Sequence, residues 1–142
     1  MALLNIINMR LSAYTHIKQG GRLMVDIFKA FAEETRLRIF AQIIKGDMCV
    51  CEVEDCLKIT QSNASRHLNA LKKAGILDSY KLAQWTYYKV SANFMENNKD
   101  LYNYLVLNVN RLKTYDVDNE NYGKCKTIDI CSCKNVSEEK KK

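Results

Sequence analysis

Gln61-Ser62-Asn63-Ala64-Ser65-Arg66-His67-Leu68-Asn69-Ala70-Leu71-Lys72-Lys73-Ala74-Gly75 is the stretch on which the fold turns. At about 100° of rotation per residue it reads as one helix with two unlike sides. Ala64, Leu68 and Leu71 share an apolar side, while Ser62, Ser65, Arg66, Asn69 and Lys73 share a polar one. Thr60 is a fitting N-cap, Ile59 can staple onto Ala64, and Gly75 closes the helix. An ordinary surface helix mixes Glu with Lys, but this stretch holds no acidic residue.

Working outward, a short helix of roughly Cys49 to Leu57 precedes it. Before that lie helical patterns at Val25–Phe31 and Glu34–Lys45, with Leu37, Phe40, Ile43 and Ile44 on one face and Gly46 as terminator. After Gly75 the period changes to alternation. Ile76–Lys81 and Trp85–Val90 read as a hairpin joined near Leu82-Ala83. A long helix is expected over Ala92–Leu112, with Phe94, Leu101, Leu105 and Leu112 at helical spacing. The order helix, turn, helix, hairpin predicts a mainly α, α+β winged helix-turn-helix domain over residues 24–113. Residues 114–142 are polar, lack periodicity and are expected to form a flexible tail carrying Cys125, Cys131 and Cys133. Residues 1–23 form an N-terminal extension. Ala2–Ile17 can be helical before Gly20-Gly21, or translation starts at Met24.

A helix for a DNA major groove needs small polar groups near its start and cations further along. The expected DNA contacts are Gln61, Ser62, Asn63, Ser65, Arg66, Asn69 and Lys73, with Lys81, Gln84 and Lys89 of the hairpin near phosphates. His67 is counted with this set, although its place at the edge of the apolar side suits a structural hydrogen bond better. Composition agrees: 142 residues, 47% hydrophobic, carry a net charge of +6, with a sequence pI near 9.0. That balance suits double-stranded DNA, although Lys140-Lys141-Lys142 supplies half of the excess. No apolar run is long enough to span a bilayer and no secretory leader is evident, so a cytoplasmic protein without a membrane partner is expected. Paired carboxylates, a phosphate-cradling glycine loop and a nucleophile–base pair are not evident, and the only histidines are His16 and His67, which argues against an enzyme.

The second constellation is Met48-Cys49-Val50-Cys51-Glu52-Val53. In a reducing compartment six cysteines read as thiols, metal ligands or redox sensors rather than structural disulfides. Thiolates spaced C-x-C suit soft cations or trivalent arsenic, and a helix N-terminus favours the thiolate at Cys49. Within one regular helix Cys49 and Cys51 point about 200° apart, so either Cys49 lies outside the helix or ligation distorts its first turn. Cys56 returns to the side of Cys49 but about 10 Å further along, whereas an ion holds sulfur at about 2.3 Å. Cys49, Cys51 and Cys56 therefore form a candidate metal site only if this helix unwinds. Distortion of the cysteine helix would displace the helix that follows it. Cys125, Cys131 and Cys133 are rival ligands.

Together, Phe28-Lys29-Ala30-Phe31-Ala32-Glu33-Glu34-Thr35-Arg36-Leu37-Arg38-Ile39, Met48-Cys49-Val50-Cys51-Glu52-Val53 and Gln61-Ser62-Asn63-Ala64-Ser65-Arg66-His67-Leu68-Asn69-Ala70-Leu71 resemble the ArsR/SmtB family of metal-sensing repressors over about residues 24–112. The resemblance implies a homodimer through the terminal helices, operator binding without inducer, and release when metal binds. The Cys-Val-Cys pair looks like that of the arsenic and the cadmium/lead sensors. As(III) or Sb(III) is the inducer expected first, with no organic cofactor. A cadmium- or lead-responsive repressor and a thiol-based redox repressor are the alternatives. Departures from the pattern are plain. Glu54 stands where arsenic sensors of this type place a third cysteine, and no cysteine precedes Cys49. The last helix has Glu96 and Asp100 but no histidine for a zinc-type site. Ala83 stands near the hairpin tip, where glycine is usual and a positive φ would cost less.

Overall fold

The computed structural model describes residues 24–128. Helix α1 (residues 24–31) is followed, after a two-residue break, by α2 (Glu34–Ile43). Glu33 caps α2 by accepting a hydrogen bond from the Arg36 amide at 3.0 Å, the N-terminal anion that orphan amides favour. The α2 face bearing Ile39, Phe40 and Ile43 is fully buried. Phe31, Phe40, Phe94 and Tyr102 meet there edge to face or tilted, at centroid separations of 5.1–6.5 Å. Such contacts add to plain area burial.

The helix-turn-helix proper is α3 (Val50–Leu57) and α4 (Gln61–Lys73). Lys58 ends α3 in the left-handed region, φ 54°. Thr60 then caps α4, its hydroxyl accepting from the Asn63 amide at 3.3 Å. The three-residue turn is thus fixed by a C-cap on one side and an N-cap on the other. Ala64, Leu68 and Leu71 are fully buried, as their spacing predicts. Gly75 takes φ 77° and releases the chain into the hairpin.

The hairpin is β2 (Leu77–Leu82) and β3 (Trp85–Val90), in antiparallel register from Leu77 opposite Val90 to Leu82 opposite Trp85. A third strand was not expected. Met48–Cys49 form β1, which pairs antiparallel with β3 and gives the sheet order β1-β3-β2. Two residues are too few for any alternation to be visible in sequence.

Two expectations need correction beyond the hairpin. The single helix over Ala92–Leu112 is broken into α5 (Ala92–Asn97), α6 (Lys99–Asn108) and a 3₁₀ turn (Val109–Arg111). The break falls at Asn98, φ −130° and ψ 43°, whose side-chain amide donates to the Phe94 carbonyl at 3.2 Å. Asparagine here competes with the helical ladder for its own acceptor. Apolar spacing continues across the break because both pieces pack on the same core.

The second correction concerns residue 114 onward. Residues 115–127 form α7 (Tyr115–Thr127), which packs along α3 and α2. Its inward positions Tyr115, Asp118, Tyr122 and Cys125 recur at helical spacing, but the most deeply buried of them is an aspartate. Asp118 accepts both hydrogen bonds of a two-pronged pair from Arg38 of α2, each 2.8 Å, while Arg38 also donates to the Leu57 carbonyl at 3.1 Å. The expected domain limit at residue 113 thus cuts through a packed unit. The extension at 1–23, and Cys131 and Cys133, lie outside the described residues.

Candidate nucleic-acid interface and thiol site

Helix α4 presents Gln61, Ser62, Asn63, Arg66, Asn69 and Lys73 to solvent, with Ser65 half-buried. These are the polar positions read from the sequence. Arg66 is steadied by an Asn63 side-chain contact of 3.3 Å. Lys72, not singled out from the sequence, is exposed too and donates to the Ser79 hydroxyl of β2 at 2.7 Å. That contact fixes which sheet face adjoins α4. Leu77, Ser79, Lys81, Thr86, Tyr88 and Val90 share that face by register. Lys81 is therefore on the side of α4.

Lys89 is not. It shares the opposite face with Tyr80, Trp85 and Tyr87, and its ammonium lies 5.6 Å from the centre of the Tyr80 ring. His67 also leaves the solvent-facing set. It is 5% exposed, its Nε2 is 3.3 Å from an Arg66 nitrogen, and its Nδ1 is 3.4 Å from Glu33 Oε2 without an aligned hydrogen bond. Burial lowers its pKa; the nearby Glu33 charge opposes this and Arg66 adds to it. His67 joins α4 to the cap of α2 and is buried away from the solvent-facing side of α4. At the hairpin tip Ala83 takes φ 53°, and Leu82 beside it is 60% exposed.

The cysteines divide into two groups. Cys49 is the N-cap of α3, with φ −86° and ψ 170°, so it lies outside the helix. That resolves the angular conflict between Cys49 and Cys51. Both are buried in one small cluster against Trp85 and Tyr87 of β3. Glu52, three residues into the helix, reaches back so that its Oε2 accepts from the Cys49 amide at 2.8 Å, a capping box in which sulfur replaces the usual hydroxyl. Its other oxygen takes the Lys126 ammonium of α7 at 2.9 Å.

Cys56 belongs elsewhere. It is fully buried in the main core, and its thiol donates to the Asp118 carbonyl at 3.2 Å. Burial, then the Asp118 charge, pushes its pKa up to about 12. Cys125 donates to Asp55 Oδ2 at 3.2 Å and is likewise pushed up to about 12, by burial first and then by Asp55. The trio Cys49, Cys51 and Cys56 is thus not assembled. Among the described residues, His, Cys, Asp and Glu form no group of three placed to hold a metal ion. The reason is the separation along α3 noted above, together with the seating of Cys56 under α7. Among the described residues, the pair that suits soft-donor chemistry is Cys49 and Cys51.

The sequence offered little sign of Glu52, Trp85, Tyr87 or Lys126 as neighbours of the thiols. Their meeting depends on β1 and α7, neither of which carries an apolar period.

The model of the bacterial regulatory protein arsR family matches residues 33–79, from the cap of α2 into β2. The chain is 47% identical over 66 residues to the uncharacterized HTH-type transcriptional regulator MJ1325 of Methanocaldococcus jannaschii, covering 46% of this chain and 74% of that one. It is 42% identical over 65 residues to the arsenic resistance transcriptional regulator ArsR1 of Pseudomonas putida, covering 45% and 51%. It is 37% identical over 84 residues to the cadmium resistance transcriptional regulatory protein CadC of Listeria innocua, covering 58% and 66%. The matches thus span between half and two thirds of these two metal-resistance regulators. Among solved structures, reduced HlyU of Vibrio cholerae aligns with TM-score 0.52 and 28% identity over 63% of this chain and 95% of that one. The homodimeric winged helix-turn-helix DNA-binding domain of Mb0332 from Mycobacterium bovis aligns with TM-score 0.53 and 21% identity, over 59% and 78%. The latter likeness bears on the fold, which is the winged helix-turn-helix expected. With its helix-turn-helix, hairpin and solvent-facing α4 in place, the chain belongs to the arsR family of DNA-binding transcriptional regulators.

Proposed function

We propose that this regulator is a homodimeric repressor that holds its operator through α4 and is released when thiolates of Cys49 and Cys51 capture a soft metal(loid) ion, As(III) or Sb(III) first. One observation carries the proposal. Cys49 and Cys51 share one small cluster under Trp85 and Tyr87, apart from Cys56 and Cys125 in the main core, and lie on the strand and helix joining the wing to the helix-turn-helix. Sulfur is the soft donor such ions select, and each thiol must lose its proton on binding. The names of relatives point to both arsenic and cadmium, so cadmium and lead are alternative inducers. Gln61, Ser62, Asn63, Ser65, Arg66, Asn69 and Lys73 face the duplex in this reading, with Lys81 at flanking phosphates.

Dimerisation rests on apolar surface left uncovered on α1 and α6. Met24, Val25 and Phe28 are 46–55% exposed, and Tyr104 and Leu107 are 63% and 73% exposed. A groove lined by Leu37, Tyr104, Leu105 and Leu112 opens beside them on α6. Exposed apolar area of this kind marks an association surface.

The test is operator binding by fluorescence anisotropy, with a fragment from the protein's own upstream promoter. The reduced protein is expected to bind it in a salt-dependent way and to lose affinity with arsenite, antimonite, cadmium or lead. Equal affinity with and without all four ions would overturn the reading. Loss of affinity after peroxide alone, reversed by thiol, would favour the redox repressor instead.

A further inference from the structure

Asp47, just ahead of β1, stands where the wing, the thiol corner and α7 meet. Its carboxylate accepts the Tyr80 hydroxyl of β2 at 2.7 Å. Its backbone carbonyl accepts the Lys126 ammonium of α7 at 2.8 Å. The same ammonium donates to Glu52 Oε1 at 2.9 Å, and Glu52 Oε2 accepts from the Cys49 amide at 2.8 Å. A polar link thus runs from the wing through Asp47 to the last turn of α7.

Both ends of the link are supported. The Tyr80 ring stacks on Tyr87 at 5.8 Å, and the Lys89 ammonium lies 5.6 Å from its centre. On the other side, Tyr122 packs on Gly46 so closely that an added Cβ there would lie 2.7 Å from its hydroxyl. The Arg38–Asp118 pair, 2.8 Å, holds the first half of α7 on α2. Lys126 and Glu52 have side chains 33% and 11% exposed, so their pairing is partly shielded from water and salt. Lys124–Glu120 on the same helix, 65% and 69% exposed, has no such shielding. Tyr80 and Lys126 both fall outside residues 33–79, the part matched by the family model.

The link bears on the duplex through strand parity. Tyr80 and Lys81 are neighbours on β2 and therefore take opposite faces of the sheet, Lys81 on the side of α4. Any tilt of the strand that moves one moves the other. Fixing the Tyr80 hydroxyl on Asp47 fixes the direction of Lys81 relative to α4.

We propose that Asp47 and Lys126 are positioning residues for operator binding, bracing the wing from α7 so that Lys81 meets its phosphate while α4 occupies the groove. This rests on the reading, given above, that Lys81 contacts flanking phosphates. Asp47 and Lys126 act through Tyr80, which lies on the face turned away from α4. A braced wing has less freedom to lose on binding, and the gain is one of pre-organisation.

The experiment is operator anisotropy across a range of salt with the full, reduced chain. Lys126→Met and Tyr80→Phe are each expected to weaken binding about two- to tenfold, the scale of one lost hydrogen bond. Each is expected to lower the salt slope by up to about one unit, the share of one phosphate contact. Lys81→Ala should give a similar loss, and adding it to either variant should cost little more, because the contact has already gone. Lys126→Arg should restore binding. Lys124→Met removes the same charge from α7 away from the junction and should stay near the parent. An equal loss in Lys124→Met, or full additivity with Lys81→Ala, would overturn the brace. If Lys81→Ala weakens binding while Lys126→Met and Tyr80→Phe do not, the brace alone is overturned. If Lys81→Ala leaves affinity and slope unchanged, the reading of the wing falls and the brace falls with it. Circular dichroism controls for folding, and Tyr80→Phe, which deletes one exposed hydroxyl, keeps the test decisive should Lys126→Met unfold.

Discussion

Cys49 lies directly opposite Tyr87 in the antiparallel pairing of β1 with β3. The first thiol of the Cys-Val-Cys pair is thereby built into the same sheet as the wing. Trp85 and Tyr87 cover both sulfurs, and Tyr87 stacks on Tyr80 at 5.8 Å across the hairpin. Drawing Cys49 toward an ion would disturb this pairing as well as the first turn of α3. Under the proposed function the wing is a second route, besides displacement of α4, by which ligation of the thiols would act on the duplex. Such a route requires a two-state element that both sites bias, and the two-residue β1–β3 ladder is the element between them.

The Arg38–Asp118 pair should anchor α7. Asp118 is 2% exposed and Arg38 17%. Asp118→Asn leaves a mostly buried guanidinium without its counter-charge, which costs about 3 kcal/mol or somewhat more. Urea unfolding should show this loss. Proteolysis should also cut first within residues 115–127. Unchanged stability would mean that α7 contributes little to the domain.

Cys56 and Cys125 should be inert as thiols in the native state. With both pKa values near 12, the thiolate fraction at pH 8 is on the order of one in ten thousand, against about a quarter for an ordinary thiol. Iodoacetamide labelling with mass mapping should mark them at least a hundredfold more slowly (about that ratio or greater) than in urea. Native labelling at the unfolded rate would contradict their seating under α7.

His67 should make the fold sensitive to acid. Burial lowers its pKa in the folded state, so between the folded and the unfolded value the unfolded chain binds more protons. Stability therefore rises with pH in that window. It is fully present above the unfolded value of about 6.5 and is lost as pH falls toward the folded one. Urea midpoints measured from pH 7.5 down to 5 should fall for the parent (about this range brackets the histidine value). His67→Gln should flatten that step. An equal slope in the variant would assign the loss to other groups.

Ala83 carries a small strain that glycine relieves. At φ 53° a side chain is disfavoured, and Ala83→Gly should stabilise by about 0.5 to 1 kcal/mol, less whatever entropy glycine gains in the unfolded chain. Thermal unfolding would show a small rise in midpoint. A clear fall would mean that the alanine methyl makes contacts that outweigh the strain.

Much of the architecture was legible because it rests on strong local signals. The division of α4 into Ala64-Leu68-Leu71 against Ser62, Arg66 and Asn69, the Thr60 cap and the alternation after Gly75 each need only neighbours in sequence. The unread parts rest on distant partners. β1 exists because β3 offers Met48 and Cys49 a ladder, and its two residues carry no period. α7 reads as tail in the sequence because Asp118 occupies its most buried position, and an aspartate looks exposed until Arg38 of α2 is placed beside it. The thiol site shows the same division. The C-x-C was visible, and so was the distance that keeps Cys56 away. The aromatic cover and the Glu52–Lys126 bridge were not, since both depend on the unread elements. Lys89 falls on the sheet face away from α4, a matter of strand parity that the register from Leu82–Trp85 onward fixes.

The central claim is that ligation at Cys49 and Cys51 and the loss of DNA are one event. Trp85, the only tryptophan, packs on these two thiols and reports on them directly. Arsenite should be titrated into protein bound to labelled operator, with Trp85 emission and operator anisotropy recorded in the same cuvette. Both signals are predicted to change with one midpoint in the parent, and neither in Cys49→Ser/Cys51→Ser. Release of operator with Trp85 emission unchanged, or release persisting in that double variant, would contradict the account.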